Sequence, residues 1–227
     1  MIHRTELDLP DCGYVDSTIT INGRFYITKE GRFPSVTTML GGTADKEFLV
    51  EWRKRVGDQA ADKKTKESTD VGTEMHTLME MYLEGKQYNP REFSSKSISF
   101  YNRLRPLLES KITTWCYSEL PVFSKKYKLA GRIDLLAQNE DGELIMGDFK
   151  SNHNLTRLKK ENEVLDYKLQ VTAYCKMFEE TYGYNVKHGL ILMTNGLTNQ
   201  SWQFNPNDYV QQLEERVKLY YDNNPNL

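Results

Sequence analysis

Cysteine is scarce and unpaired in pattern. Cys12, Cys116 and Cys175 are widely spaced and form no Cys-x-x-Cys unit, which excludes a disulfide framework and a zinc ribbon and fits a reducing compartment. No run of about 18 apolar residues occurs, so no membrane-spanning helix is expected. The opening MIHRTELDLPDCGYVD carries acids and has neither an apolar stretch nor an Arg/Ser-rich amphipathic pattern, so no signal or transit peptide is expected. Charge of one sign is lacking as well. A net charge of -2 supplies no global field for nucleic acid, although local basic patches remain inside that total. Internal repeats and low-complexity tracts are absent.

What is present is ordinary globular composition, 38% hydrophobic and 27% charged over 227 residues, enough for one sizeable core. One domain is expected over 1–227, with 1–69 an N-terminal hairpin and basic helix and 70–227 the main body. TITINGRFYIT places Asn22-Gly23 between two β-rich runs, a hairpin signal because both turn positions favour positive φ. DKEFLVEWRKRVGDQAADKKTKES reads as a helix with Phe48, Trp52 and Val56 on one stripe, so Trp52 is expected in the core. From Asp70, Val71, Met75, Leu78, Met79 and Tyr82 share a helical face that ends before Gly85. A further helix is expected over about 95–112, interrupted or bent at Pro106. WCYSELPVFS, YKLAGRIDLLAQ and ELIMGDFKS then read as an antiparallel meander. A helix over about 163–182, the strands KHGLILMTN and QSWQF, and a closing helix from about Pro206 complete a mixed sheet flanked by helices, an α/β (α+β) fold.

GRIDLLAQNEDGELIMGDFKSN is the anomalous stretch. Alternation puts Arg132, Asp134 and Leu136 on one face of its first strand, and Leu144, Met146, Asp148 and Lys150 on one face of its second. A turn centred on Asp141 sets Leu136 against Met146, Asp134 against Asp148, and Arg132 against Lys150. Two facing carboxylates are unfavourable when both are ionised in a partly buried place. Periodicity leaves the plain readings open, a solvated hairpin tip or an Asp shielded by Arg132 alone, beside that of a buried pair that takes a hard cation such as Mg²⁺, with Lys150 aimed at whatever the cation binds.

Five segments in order, PSVTTML, LVEWRKRVGDQA with GTEMH (72–76), GRID (131–134), DFK (148–150) and QVTAY (170–174), resemble the RecB-like branch of the PD-(D/E)XK nucleases. Within it they are similar to phage exonucleases and the mitochondrial genome maintenance exonuclease, over roughly Pro34 to Leu192. The resemblance implies a restriction-endonuclease-like core and a metal-dependent DNA exonuclease, preferring single strands or DNA ends, in replication, repair or recombination. It implies His76, Asp134, Asp148 and the Phe149 carbonyl as ligands of Mg²⁺ (or Mn²⁺), and Asp134, Asp148 and Lys150 as the catalytic set. Gln170 and Tyr174 form its Q-x-x-x-Y element beside the DNA, with Arg132 and Ser151 as adjoining substrate contacts. Glu119, Glu80, Arg53 and Lys54 are further candidates.

Read as residues alone, each has a plainer alternative. His76 is a structural helical histidine or a ligand, Gln170 a satisfied core amide or a DNA contact, Tyr174 plain core, and Glu80 part of a solvated face. The basic runs Arg53 to Lys66, KKYK (125–128) and RLKK (157–160) are solvated faces unless DNA meets them. Three scattered cysteines cannot hold the iron-sulfur cluster of some RecB-like relatives. No helicase motor motif is present, so unwinding falls to a partner such as a helicase, polymerase or recombination protein. Asp148 stands where glutamate is commoner. The rival functions are an endonuclease of the same fold and a non-catalytic DNA-binding recombination module. The cytoplasm of a bacterium, or of a phage's host, is the expected location.

Overall fold

The computed structural model describes residues 2–11, 16–20, 23–157 and 159–227, without the side chains of Asp16 and Phe48. Cys12, Asn22, Leu158 of RLKK, and the Phe48 side chain lie outside the described residues. The chain begins with β1 (His3–Arg4), β2 (Asp16–Thr20), β3 (Gly23–Thr28) and β4 (Gly31–Pro34), then α1 (Val36–Thr43), α2 (Glu47–Val56), α3 (Asp58–Leu83) and α4 (Ser95–Glu109). It continues with β5 (Thr114–Tyr117), β6 (Leu120–Ser124), β7 (Leu129–Ile133), β8 (Leu135–Gln138) and β9 (Leu144–Ser151), and ends with α5 (Leu165–Tyr182), β10 (His188–Thr194), β11 (Asn199–Phe204) and α6 (Val210–Asp222). Among the described residues, no helix is long and apolar enough to cross a membrane.

Six strands make a mixed sheet in the order β1-β5-β8-β9-β10-β11. Side-chain alternation along its central strands feeds two cores. Leu136, Met146, Ile191 and Met193 pack with Leu169, Ala173, Met177 and Phe178 of α5. Leu135, Ile145, Phe149, Leu190 and Leu192 pack on the other side with Met75, Leu78 and Met79 of α3 and Phe100 and Leu104 of α4. A sheet covered on both faces explains why β9 and β10 read as nearly continuous apolar runs. The fold is therefore α/β with helices on both sides of a mixed sheet, a restriction-endonuclease-like architecture. The parallel β9 and β10 are joined through α5, the helical crossover that parallel strands require.

Two expected boundaries move. A single helix through Gly57 is replaced by a break there, with Gly57 at φ 84° and ψ 148°, backbone that glycine adopts without a Cβ penalty. No boundary exists at Asp70: α3 runs on for 26 residues and takes Gly72 into its interior. Trp52 is half-buried and belongs to none of the core clusters, so its assignment to the core is corrected; α2 also leaves Leu49 and Val50 about half exposed. Pro106 sits inside α4, which ends at Glu109 rather than near Ile112.

The expected meander is split between two sheets. β5, β8 and β9 pair antiparallel in the main sheet, while β6 and β7 leave it to form a two-stranded sheet of their own. The chain re-enters the main sheet at Leu135. β2, β3 and β4 form a separate three-stranded sheet. In it Thr20 pairs with Gly23, which has φ 110°.

Ser35 caps α1 by accepting from the Thr38 N–H at 2.9 Å, and Val36 and Met39 bury the other side of that helix. The PSVTT run is thus a helix start locked onto the sheet.

Phe178 is fully buried between α5 and the sheet. Phe178→Ala is expected to lower unfolding free energy by about 3–5 kcal/mol, read from urea denaturation.

Candidate active site

The ladder between β8 and β9 contains Leu136 opposite Met146 and ends at Leu135 opposite Gly147. Asp134 lies one residue beyond it, at the corner between β7 and β8, and Arg132 pairs with Pro121 in the other sheet rather than with Lys150. The facing of Asp134 with Asp148, and of Arg132 with Lys150, is therefore not part of the ladder. With no strand opposite it, the Phe149 N–H is taken by the Asp134 side chain, Oδ2 accepting at 2.9 Å.

That corner gathers the acids. His76, from α3, places Nδ1 3.3 Å from Asp134 Oδ2 and donates from Nε2 to the Phe149 carbonyl at 2.9 Å. Glu119, in the turn between β5 and β6, completes a group in which one ligand atom each of His76, Glu119 and Asp134 lies within 4.8 Å of the others. Glu119 has φ 51°, a left-handed conformation uncommon for a residue with a Cβ and often found at functional sites.

Asp148 and Lys150 form a neighbouring, drier unit. Asp148 is 1% exposed; its Oδ2 lies 2.7 Å from the Lys150 ammonium yet accepts no well-aligned hydrogen bond. Gln170 joins the two, donating from Nε2 to Asp148 Oδ1 at 2.9 Å and accepting from Lys150 Nζ at 3.0 Å. The amide on the apolar stripe of α5 thus has both ends satisfied. Tyr174 approaches the same amide at 3.4 Å. Lys150 also stands 5.1 Å over the ring of Tyr167, a contact with no sequence signal beyond an ordinary aromatic at the start of a helix.

Burial and charge explain the protonation states. Burial works against a charged His76, but Asp134, by charge and hydrogen bond, overcomes it and carries the imidazole up to about 9. Both ring nitrogens then donate, one to a carboxylate and one to a carbonyl. Burial alone would raise Asp134, yet His76, Lys150 and the Phe149 N–H hold it below the usual carboxylate range. Asp148 goes the other way, pushed up mainly by burial, with Lys150 opposing. Burial also opposes a charged Lys150, and Asp148 and Asp134 outweigh it, so Lys150 is held as an ammonium. Glu119 is raised by burial and by Asp134.

A cleft of about 460 Å³ opens over this corner, lined by His76, Glu80, Glu119, Arg132, Asp134, Lys150, Gln170 and Tyr174 and, on a second wall, by Arg24, Tyr26, Ser35 and Thr37. A larger groove of about 760 Å³ between α1 and the last residues of the chain holds none of the acids. Ser151 is half-buried on β9, across from Gly72 of α3. Arg53 and Lys54 lie on α2 beside a separate groove, and Arg53 is tied to Asp58 and Asp62 at 3.0 and 2.7 Å. These two candidates therefore stand outside the cleft.

Two carboxylates and an imidazole converging at one point, with the acids held unfavourably close, are a donor set that can hold a divalent cation. Asp148 behind them already has its positive partner, the Lys150 ammonium 2.7 Å from Oδ2.

Fold and site together define an α/β protein whose acidic centre, at the end of a strand pair, is able to hold a divalent cation. The model of the PD-(D/E)XK nuclease superfamily matches residues 47–219, and the chain belongs to that superfamily, whose activity is cleavage of DNA. Among solved structures it is similar to SSO0001, at 15% identity and a TM-score of 0.43 over 82% of this chain and 75% of that one. It is also similar to a candidate exonuclease from Eubacterium rectale, at 14% identity and a TM-score of 0.45, covering 66% of this chain and 64% of that one. No curated protein matches the chain.

Gly131 of the GRID segment leaves room for Tyr174, because a Cβ there would lie 2.8 Å from Tyr174 Cε1. Gly131→Ala is expected to displace the tyrosine and lower stability by about 1–3 kcal/mol, measured by urea unfolding, with a shift in near-ultraviolet circular dichroism.

Proposed function

We propose that the chain is a metal-dependent DNA exonuclease of the RecB-like branch, acting on single strands or strand ends, and that 1–227 is one nuclease domain with 1–69 as its extension. The observation that carries this reading is the convergence of His76, Glu119 and Asp134 within 4.8 Å beside the buried Asp148–Lys150–Gln170 unit. The GRID segment supplies Asp134 to the first group, and DFK and QVTAY supply all of the second.

Asp134, Glu119, His76 and the Phe149 carbonyl would hold Mg²⁺ or Mn²⁺, with Asp148 contributing its charge from behind. A bound divalent cation supplies Lewis acidity toward the phosphate and makes a nearby water more acidic. His76 can join that ligand set only by giving up the proton from one ring nitrogen, so cation and proton compete for it. Lys150, kept protonated by its acidic neighbours, steadies the negative charge that develops as phosphorus is attacked, rather than serving as the base. Gln170 and Tyr167 hold Lys150 in place, and Tyr174 and Arg132 meet the strand at the cleft surface.

Lys150→Ala and Asp134→Asn are each expected to reduce cleavage by at least about 10²-fold while the far-ultraviolet circular dichroism stays that of the wild type. Full activity in either variant refutes the assignment.

Cation binding has its own readout. Mg²⁺ or Mn²⁺ is expected to raise the thermal midpoint of the wild type, by the equivalent of about 2.7 kcal/mol at a hundredfold excess over Kd, and to leave Asp134→Asn unshifted. Cleavage of end-labelled linear DNA but not of circles, abolished by EDTA, supports the exonuclease; cutting of circles establishes the endonuclease instead.

A further inference from the structure

The wall of the cleft opposite α3 has no part in the chemistry above. It is built by β3 and the start of α1 and presents Arg24, Tyr26, Ser35 and Thr37. The acids Glu80, Glu119 and Asp134 line the same cleft and repel a polyanion, so its unpaired cations decide where phosphate can sit. Lys150 is committed to Asp148 and Gln170. Arg24 and Arg132 are exposed at the cleft, and neither guanidinium has a hydrogen-bond or ion-pair partner among the described residues.

Arg24 is the better anchored of the two. Its N–H donates to Thr38 Oγ1 at 2.9 Å, and its carbonyl accepts from Thr38 Oγ1 at 3.1 Å and from the Ser35 N–H at 2.8 Å. A flexible side chain thus springs from backbone pinned to a helix start. Across the ladder Arg24 pairs with Ile19, which is 74% exposed. Cross-strand partners share a face, and Tyr26, two residues along, brings that face to the cleft. A guanidinium fork matches phosphate in bidentate fashion, and a bare aliphatic beside it offers an apolar surface to a sugar or base.

We propose that Arg24 is a substrate-positioning residue that binds a backbone phosphate of the DNA strand next to the one cleaved, with Ile19 packing against the nucleotide beyond. This rests on the cleft being the DNA-cleaving site. The contact reads phosphate, not base identity, so it adds no sequence preference; that the substrate is a single strand is taken from the reading above.

The test is equilibrium binding of fluorescein-labelled oligothymidylate in EDTA, followed by anisotropy over a salt series. Arg24→Ala is expected to weaken binding about tenfold at low salt and to reduce the slope of log affinity against log salt by about 0.7, the value for one phosphate contact on a single strand. Arg24→Lys should recover the slope and part of the affinity, and Arg24→Gln should behave as the alanine variant does. Lys218→Ala, on α6 and outside the cleft, should match the wild type. In Mg²⁺ the Arg24→Ala loss should fall on KM more than on kcat.

Wild-type affinity and salt slope in both Arg24→Ala and Arg24→Gln overturn the proposal. If Lys150→Ala still cleaves, the reading of the active site falls instead, and the salt slope of the Arg24 variants continues to decide the phosphate contact by itself.

Discussion

The pairing of β8 with β9 stops at Leu135 and Gly147, three residues short of where the hairpin pattern would carry it, and the chemistry of the cleft depends on that stop. Past it, β9 continues without a partner on the β8 side. Its Phe149 N–H needs an acceptor and its Phe149 carbonyl a donor, because a buried peptide group left unpaired is costly. Asp134 meets the first need and His76 the second. Two side chains capable of holding a metal are thereby fixed against the two peptide groups that flank one residue by the ordinary requirement to satisfy backbone.

The same strand divides the charges by depth. Asp148 and Lys150 point toward α5, where Gln170 and the Tyr167 ring enclose them. Asp134, His76 and Glu119 stand at the mouth. A buried carboxylate and ammonium cannot be separated without leaving one unpaired, a loss of several kcal/mol, so the inner unit is rigid. The outer acids are less covered and remain crowded. That asymmetry gives the site a fixed cation and an adjacent place that attracts a mobile one.

How much of this was legible varied with the kind of signal. The face shared by Met146, Asp148 and Lys150 follows from two-residue alternation alone, and the α5 stripe through Gln170, Tyr174 and Phe178 from helical spacing. Glu119 is half legible: its nearness in sequence to the hairpin was visible, but its meeting with His76 needs the β5–β6 turn and its left-handed backbone. Arg24 and Tyr167 carried no signal, being one cation on an N-terminal strand and one aromatic among fourteen tyrosines. Arg53 and Lys54 were legible as a basic run but not in their placement outside the cleft. A basic run resembles a phosphate grip in one dimension, and only the break at Gly57 turned it toward Asp58 and Asp62.

The amino-acid sequence by itself determined the helices and strands, the two-sided burial of β9, and the residue types able to hold a hard cation, because periodicity and side-chain chemistry are local properties. Tertiary structure alone decided which acids meet. Where a ladder ends, which sheet a strand joins and which wall faces the cleft depend on contacts between separate segments, some more than a hundred residues apart, as Arg24 and Arg132 are. No local pattern records them.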